Sequence, residues 1–138
     1  FIDNAIAYMN LDDIRHQYID NLSGGQRQRA YIAMTLAQDT DYILLDEPLN
    51  NMDMKHSVQI MQVLRKLATE LNKTVVIVIH DINFASCYSD YIVAMKNGKL
   101  VHQGEVNHIM QSPVLQDIYD MTIPIQDIDD HKIAVYFR

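Results

Sequence analysis

Two short apolar runs flank one amphipathic helix in this chain, and that arrangement limits its fold more than any other feature. Residues 42–45, Tyr-Ile-Leu-Leu, and residues 74–79, Thr-Val-Val-Ile-Val-Ile, are continuous and poor in polar side chains, as expected of strands buried on both faces. Between them Val58, Met61, Leu64, Ala68 and Leu71 recur at helical spacing over residues 54–71, behind Asp53 as a helix N-cap. Strand, helix, strand predicts an α/β fold with a parallel sheet covered by helices, whose ligands bind beyond the C-terminal strand ends. Asp46, Glu47 and His80 stand at those ends. Pro48 stops the first strand and biases Glu47 toward an extended backbone.

The flanking segments fit the same plan. Ile6 and Met9 mark a helix over residues 3–10, and a polar stretch leads to Leu22-Ser23-Gly24-Gly25-Gln26, after which Ala30, Ala33, Met34 and Ala37 face one way on a helix ending near Gln38. Beyond His80-Asp81 the pattern gives a helix over 82–88, a strand over 91–95, a hairpin turn at Asn97-Gly98 and a returning strand over 100–103. Two short helices over 106–111 and 114–121 precede a last hairpin, 123–128 with 133–137 around Asp129-Asp130.

At 138 residues the chain is about one domain long. The run 75–79 is far shorter than the roughly 20 residues of a membrane-spanning helix, and no secretion signal is visible at Phe1-Ile2-Asp3-Asn4. A single cysteine, Cys87, forms no internal disulfide and points to a reducing compartment. A net charge of −7 argues against a general nucleic-acid binder. The six histidines lack zinc spacing, and all but His80 read as surface residues.

Ser23-Gly24-Gly25-Gln26 opens a helix whose unpaired N–H groups form an anion site. The same four residues have the spacing of a capping box. Two glycines in a first turn serve helix stability poorly, which indicates a close backbone approach. Asp46 and Glu47 close an apolar strand, a costly place for paired carboxylates unless Mg²⁺ or a polar ligand is their partner. On an extended backbone the two point to opposite sides, one toward the metal and the other toward a water. Solvated loop carboxylates are the alternative for that pair, and a satisfied core histidine or a helix-capping neighbour is the alternative for His80.

Taken together, the motifs resemble the ATP-binding-cassette (ABC) ATPase family over nearly the whole chain. Leu22-Ser23-Gly24-Gly25-Gln26-Arg27-Gln28-Arg29 is similar to its signature, Tyr42-Ile43-Leu44-Leu45-Asp46-Glu47-Pro48 to its Walker B strand, Leu49 to Asp53 to its D-loop, and His80 to its switch histidine. The resemblance implies a P-loop NTPase-like parallel sheet with flanking helices, incomplete because the N-terminal P-loop portion is absent, plus a C-terminal β-hairpin. It implies ATP and Mg²⁺ as cofactors. Asp46 is then the metal residue, acting through water. Glu47 and His80 are catalytic, polarising the attacking water and contacting the γ-phosphate. Ser23, Gly24, Gly25 and Gln26 bind nucleotide held by a second ATPase subunit, head to tail, and Asp53 lies at that seam. Three segments follow: 1–40, the end of a helical subdomain with the signature and its helix; 41–105, the ATPase core; and 106–138, the C-terminal helices and hairpin.

The P-loop pattern G-x-x-x-x-G-K-[ST] is missing. Glycines occur only at 24, 25, 98 and 104, Gly98-Lys99 is followed by Leu100, and Val93 stands where the first glycine belongs. The adenine-stacking aromatic and the transporter-coupling glutamine, expected before the signature, are also missing, so the chain reads as truncated. With the P-loop strand gone, the strands over 74–79 and 91–95 are expected to lose a shared neighbour and to recruit other strands. Asn50-Asn51-Met52-Asp53-Met54-Lys55-His56 and the hairpin at 125–137 resemble the branch that energises ferric-siderophore and other iron-chelate importers. That branch implies transmembrane permease subunits and, indirectly, a substrate-binding protein as partners, no nucleic acid, and a cytoplasmic place on the inner face of the cell membrane. A soluble non-transport ABC ATPase and a non-catalytic module supplying the signature in trans are the alternatives.

Overall fold

A computed structural model describes residues 2–9, 11–18 and 21–137. It divides the chain into two compact units, one ending at Ile79 and the other beginning at His80.

In the first unit, helix α1 (Ile2–Tyr8) packs on α2 (Gly24–Ala37), with a 3-10 turn at Asp12–Ile14 in the stretch expected to be merely polar. Residue 10, the expected end of the first helix, lies outside the described residues. Ala5, Met9, Leu11, Ile32 and Ala33 are buried. The alanine face of α2 is buried only at Ala33, and Ala30, Met34 and Ala37 beside it help line an apolar groove of about 480 Å³ with Ala5 and Ile6.

Strand β1 (Tyr42–Asp46), helix α3 (Met54–Glu70) and strand β2 (Thr74–Val78) form the expected parallel crossover, with Tyr42 opposite Thr74 and Asp46 opposite Val78. The buried stripe of α3 runs through Ser57, Ile60, Met61, Leu64 and Leu67. It overlaps the expected stripe at Met61 and Leu64 and is rotated away from Leu71, which is 44% exposed. α3 packs on β2 and Ile43 is fully buried, yet Tyr42, Leu44, Val76 and Val78 are exposed. The expectation of strands buried on both faces is therefore corrected. In an alternating strand one helix covers one set of side chains, and among the described residues the other set stays exposed.

The second unit contains α4 (Ile82–Tyr88), β3 (Tyr91–Lys96), β4 (Lys99–Glu105), α5 (Val106–Ile109), α6 (Ser112–Tyr119), β5 (Ile125–Ile128) and β6 (His131–Ala134). Asn97 and Gly98 both have left-handed φ, +53° and +75°, as a two-residue hairpin turn with right-handed strand twist demands. Asp129 and Asp130 do the same at +49° and +65°. Pairing resumes at Ile128 and His131, so β6 starts two residues earlier than expected and ends at Ala134. Ile82, Met110, Leu115, Ile123 and Ala134 form this unit's core.

Among the described residues the strands form three two-stranded sheets, β1 with β2, β3 with β4 and β5 with β6. The parallel part of the expected sheet is the β1–β2 pair, and neither β2 nor β3 has a second strand partner. No described helix is long and apolar enough to cross a membrane.

Candidate functional site

The glycine turn before α2 is a formed capping box. Ser23 Oγ accepts the Gln26 N–H at 3.2 Å, and Gln26 Oε1 accepts the Ser23 N–H at 3.1 Å. Both side chains thus satisfy helix-end donors that otherwise have no partner. The two glycines differ. A Cβ on Gly24 meets nothing within 4 Å, whereas one on Gly25 lies 2.8 Å from His56 Cδ2 and 3.0 Å from its Cγ. The close approach inferred from the glycine pair is made, at Gly25, by a side chain of α3.

That histidine is held from behind. Asp53, the N-cap of α3, accepts the His56 backbone N–H at 2.9 Å and bonds His56 Nδ1 at 2.7 Å through the same Oδ1. The backbone bond first, and the ring bond after it, hold the Asp53 carboxyl below its ordinary range. One residue therefore joins the glycine turn to Asp53. His56 is half-buried and engaged, not the surface residue expected. The D-x-x-H spacing that starts α3 was the available signal.

Asp46 ends β1 with an exposed side chain. Glu47 departs from the expected extended backbone, with φ at +51°. Its N–H donates to the Val78 carbonyl at 2.9 Å, continuing the β1–β2 ladder, while its own carbonyl accepts the Asn50 N–H at 3.1 Å. This turn, with buried Pro48 inside it, reverses the chain immediately after the strand. A non-glycine residue in this region stores roughly 1–3 kcal/mol of strain. The opposite-sides argument from an extended pair therefore does not apply: Asp46 is the last residue of β1 and Glu47 the first of the turn that follows it. Among the described residues no group of three or more His, Cys, Asp or Glu is arranged to hold a metal. Mg²⁺ that keeps most of its waters needs only one or two carboxylates beside substrate phosphates, and the exposed Asp46 carboxylate fits such a contact.

His80 opens the second unit, next to Asp81, the N-cap of α4. Asp81 Oδ1 accepts the N–H groups of Asn83 at 2.8 Å and Phe84 at 3.1 Å. His80, Asp81, Tyr119 and Tyr136 help line a cavity of about 220 Å³. Burial, aided by the charge of Asp81 and by Tyr136, pushes the Tyr119 phenol above its ordinary range.

A family model described as "ABC transporter" matches residues 2–50, which include the glycine turn and β1 with Asp46 and Glu47. The petrobactin import ATP-binding protein YclP of Bacillus subtilis (strain 168) is 65% identical over 136 residues, 99% of this chain and 54% of that protein. The chain belongs to the ABC transporter ATP-binding family. Two solved structures extend the likeness to the fold. An ABC transporter described as metal-chelate type, in an inward-facing conformation, superposes with a TM-score of 0.87 at 26% identity, over 99% of this chain and 56% of its own. The ATP-binding cassette MJ0796, in a dimeric post-hydrolysis state bound to ADP and Pi, gives 0.66 at 36% identity, over 75% of this chain and 44% of its own. The ABC chain spans about half the length of the curated relatives it matches.

Proposed function

We propose that this chain is part of the ATP-hydrolysing subunit of an ABC importer for iron chelates. The observation that carries the reading is the end of β1. There a metal-suited carboxylate, Asp46, is followed by a second carboxylate fixed in a strained turn, Glu47. Strain retained at a strand end is the kind of local cost that functional sites hold. Asp46 contacts the Mg²⁺ water shell, and Glu47 orients and polarises the attacking water. His80 contacts the γ-phosphate. Mg²⁺, held through water by Asp46, would supply charge neutralisation to the nucleotide's phosphates when bound. Ser23, Gly24, Gly25 and Gln26 close on nucleotide held by a second cassette, and the open side of Gly24 leaves room for a phosphate. Asp53 sits at the seam between the two cassettes. A dimeric cassette among the similar structures supports that pairing.

The names of similar proteins support iron-chelate import. Several are import or transport ATP-binding proteins for petrobactin, iron(3+)-hydroxamate or ferric enterobactin. Transmembrane permease subunits and a substrate-binding protein are the further partners, with the ATPase on the cytoplasmic face of the membrane. The test is Glu47→Gln in the intact ATPase. It is expected to cut steady-state ATP hydrolysis by about 100-fold or more and to accumulate an ATP-bound dimer on size exclusion. Turnover at the parental rate would refute the assignment.

A further inference from the structure

Helix α4, which follows His80, is tied to the C-terminal hairpin by more than apolar contact. A two-residue turn joins β5 to β6, so Ile128 and His131 exchange backbone bonds and the pairs alternate from there. Lys132 and Ala134 fall on the alternate pairs, whose backbone groups point away from β5. α4 takes up those groups. The Ala134 N–H donates to Asn83 Oδ1 at 2.7 Å, Asn83 Nδ2 donates to the Ala134 carbonyl at 3.2 Å, and the Ser86 hydroxyl donates to the Lys132 carbonyl at 2.6 Å. Asn83 and Ser86 are three apart on one helical face.

The Asn83 carboxamide does for Ala134 what a neighbouring strand does, meeting its donor and its acceptor at once. Such a pair fixes helix rotation as well as distance, because both bonds are directional. Only one orientation of the amide satisfies both partners. His80 stands two residues before the first residue of this helix, with Asp81 as the cap between them.

We infer that Asn83 is a positioning residue for His80. Through its two-way bond to Ala134, the C-terminal hairpin sets the orientation of α4 and therefore of the histidine at its start. This rests on the reading of His80 as the γ-phosphate contact. A bond that served stability alone would alter the unfolding midpoint and leave turnover by the folded enzyme untouched.

The experiment compares Asn83→Ala, His80→Ala and the double variant in the intact ATPase, measuring kcat and KM for ATP alongside thermal unfolding. Asn83→Ala is expected to lower kcat about tenfold, since a misplacement of about 1 Å suffices for such losses, with KM for ATP changed less than about twofold. Added to His80→Ala, it is expected to leave the residual kcat unchanged, because it acts through that residue. Parental kcat in folded Asn83→Ala, or a full tenfold loss on top of His80→Ala, overturns the inference while leaving the role of His80 intact. Parental turnover in His80→Ala alone overturns both. If Asn83→Ala does not fold, Ser86→Ala, which removes one hydroxyl from the same face, is put through the same comparison. It is expected to show the same pattern at smaller amplitude, and parental kcat there overturns the inference.

Discussion

Replacing Gly25 with Ala tests what the second glycine of the turn is for. The added methyl lies 2.8, 3.0 and 3.3 Å from Cδ2, Cγ and Nε2 of His56. Apolar atoms rest comfortably at about 3.5 Å or more, so the ring has to retreat by roughly 0.7 Å. It is not free to do so, because Nδ1 is bonded to Asp53 at 2.7 Å. Overpacking of this kind costs about 1–3 kcal/mol, and the helix preference of Ala over Gly returns at most about 1 kcal/mol. The net expectation is a loss of about 1 kcal/mol, read from urea denaturation. In a His56→Ala background the obstacle is gone, and Gly25→Ala becomes neutral or mildly stabilising. The coupling between the two sites in this double-mutant cycle is then at least about 1 kcal/mol. Gly24→Ala is the control for stability, because its methyl meets nothing within 4 Å. Equal destabilisation by Gly25→Ala with and without the imidazole would show that the glycine does not accommodate His56.

The 138-residue chain alone is expected to bind Mg-ATP no tighter than the millimolar range, because no G-x-x-x-x-G-K-[ST] cradle occurs in it; micromolar binding by calorimetry contradicts this. Tyr8 donates to Glu70 Oε2 at 3.3 Å, and burial, with the Glu70 charge second, pushes its phenol up to about 12 from an ordinary 10.0. Since the folded value is the higher one, its contribution to stability is intact below pH 10.0 and disappears as pH rises through about 12. Tyr8→Phe is expected to flatten that alkaline limb, and an unchanged limb means the phenol is not responsible.

The elements that were legible in the sequence are those set by local chemistry. Asp53 caps α3 because a carboxylate before a helix start has N–H groups to accept. Asn97-Gly98 turns because both positions tolerate left-handed φ. The end of β1 was legible too, and that of β2 to within one residue, and with them the positions of Asp46 and His80. What was not legible depends on partners distant in sequence. The turn at Glu47 needs the carbonyl of Val78 from β2, which overrides the local preference of a residue before proline. The stripe of α3 is decided by which side meets β2, so Ser57, Ile60 and Leu67 belong to it and Val58 and Leu71 do not. Asn83 gave no signal, because its partner is a backbone 51 residues away.

Unlike the two hairpins, the β1–β2 ladder joins segments that are far apart along the chain, and this has a consequence in time. Two-residue turns let β3–β4 and β5–β6 zip within about 1–10 μs. β1 meets Thr74 only after the chain through α3 has folded back, which adds the loop-closure entropy of a long connection. The strand bearing Asp46 is thus expected to gain its register after both hairpins, when Ile43 becomes buried. In pulse-labelled exchange during refolding, amides of β1 and β2 would then become protected later than those of the hairpins. A site whose geometry depends on this late step is the part of the chain most exposed to loss when folding is interrupted.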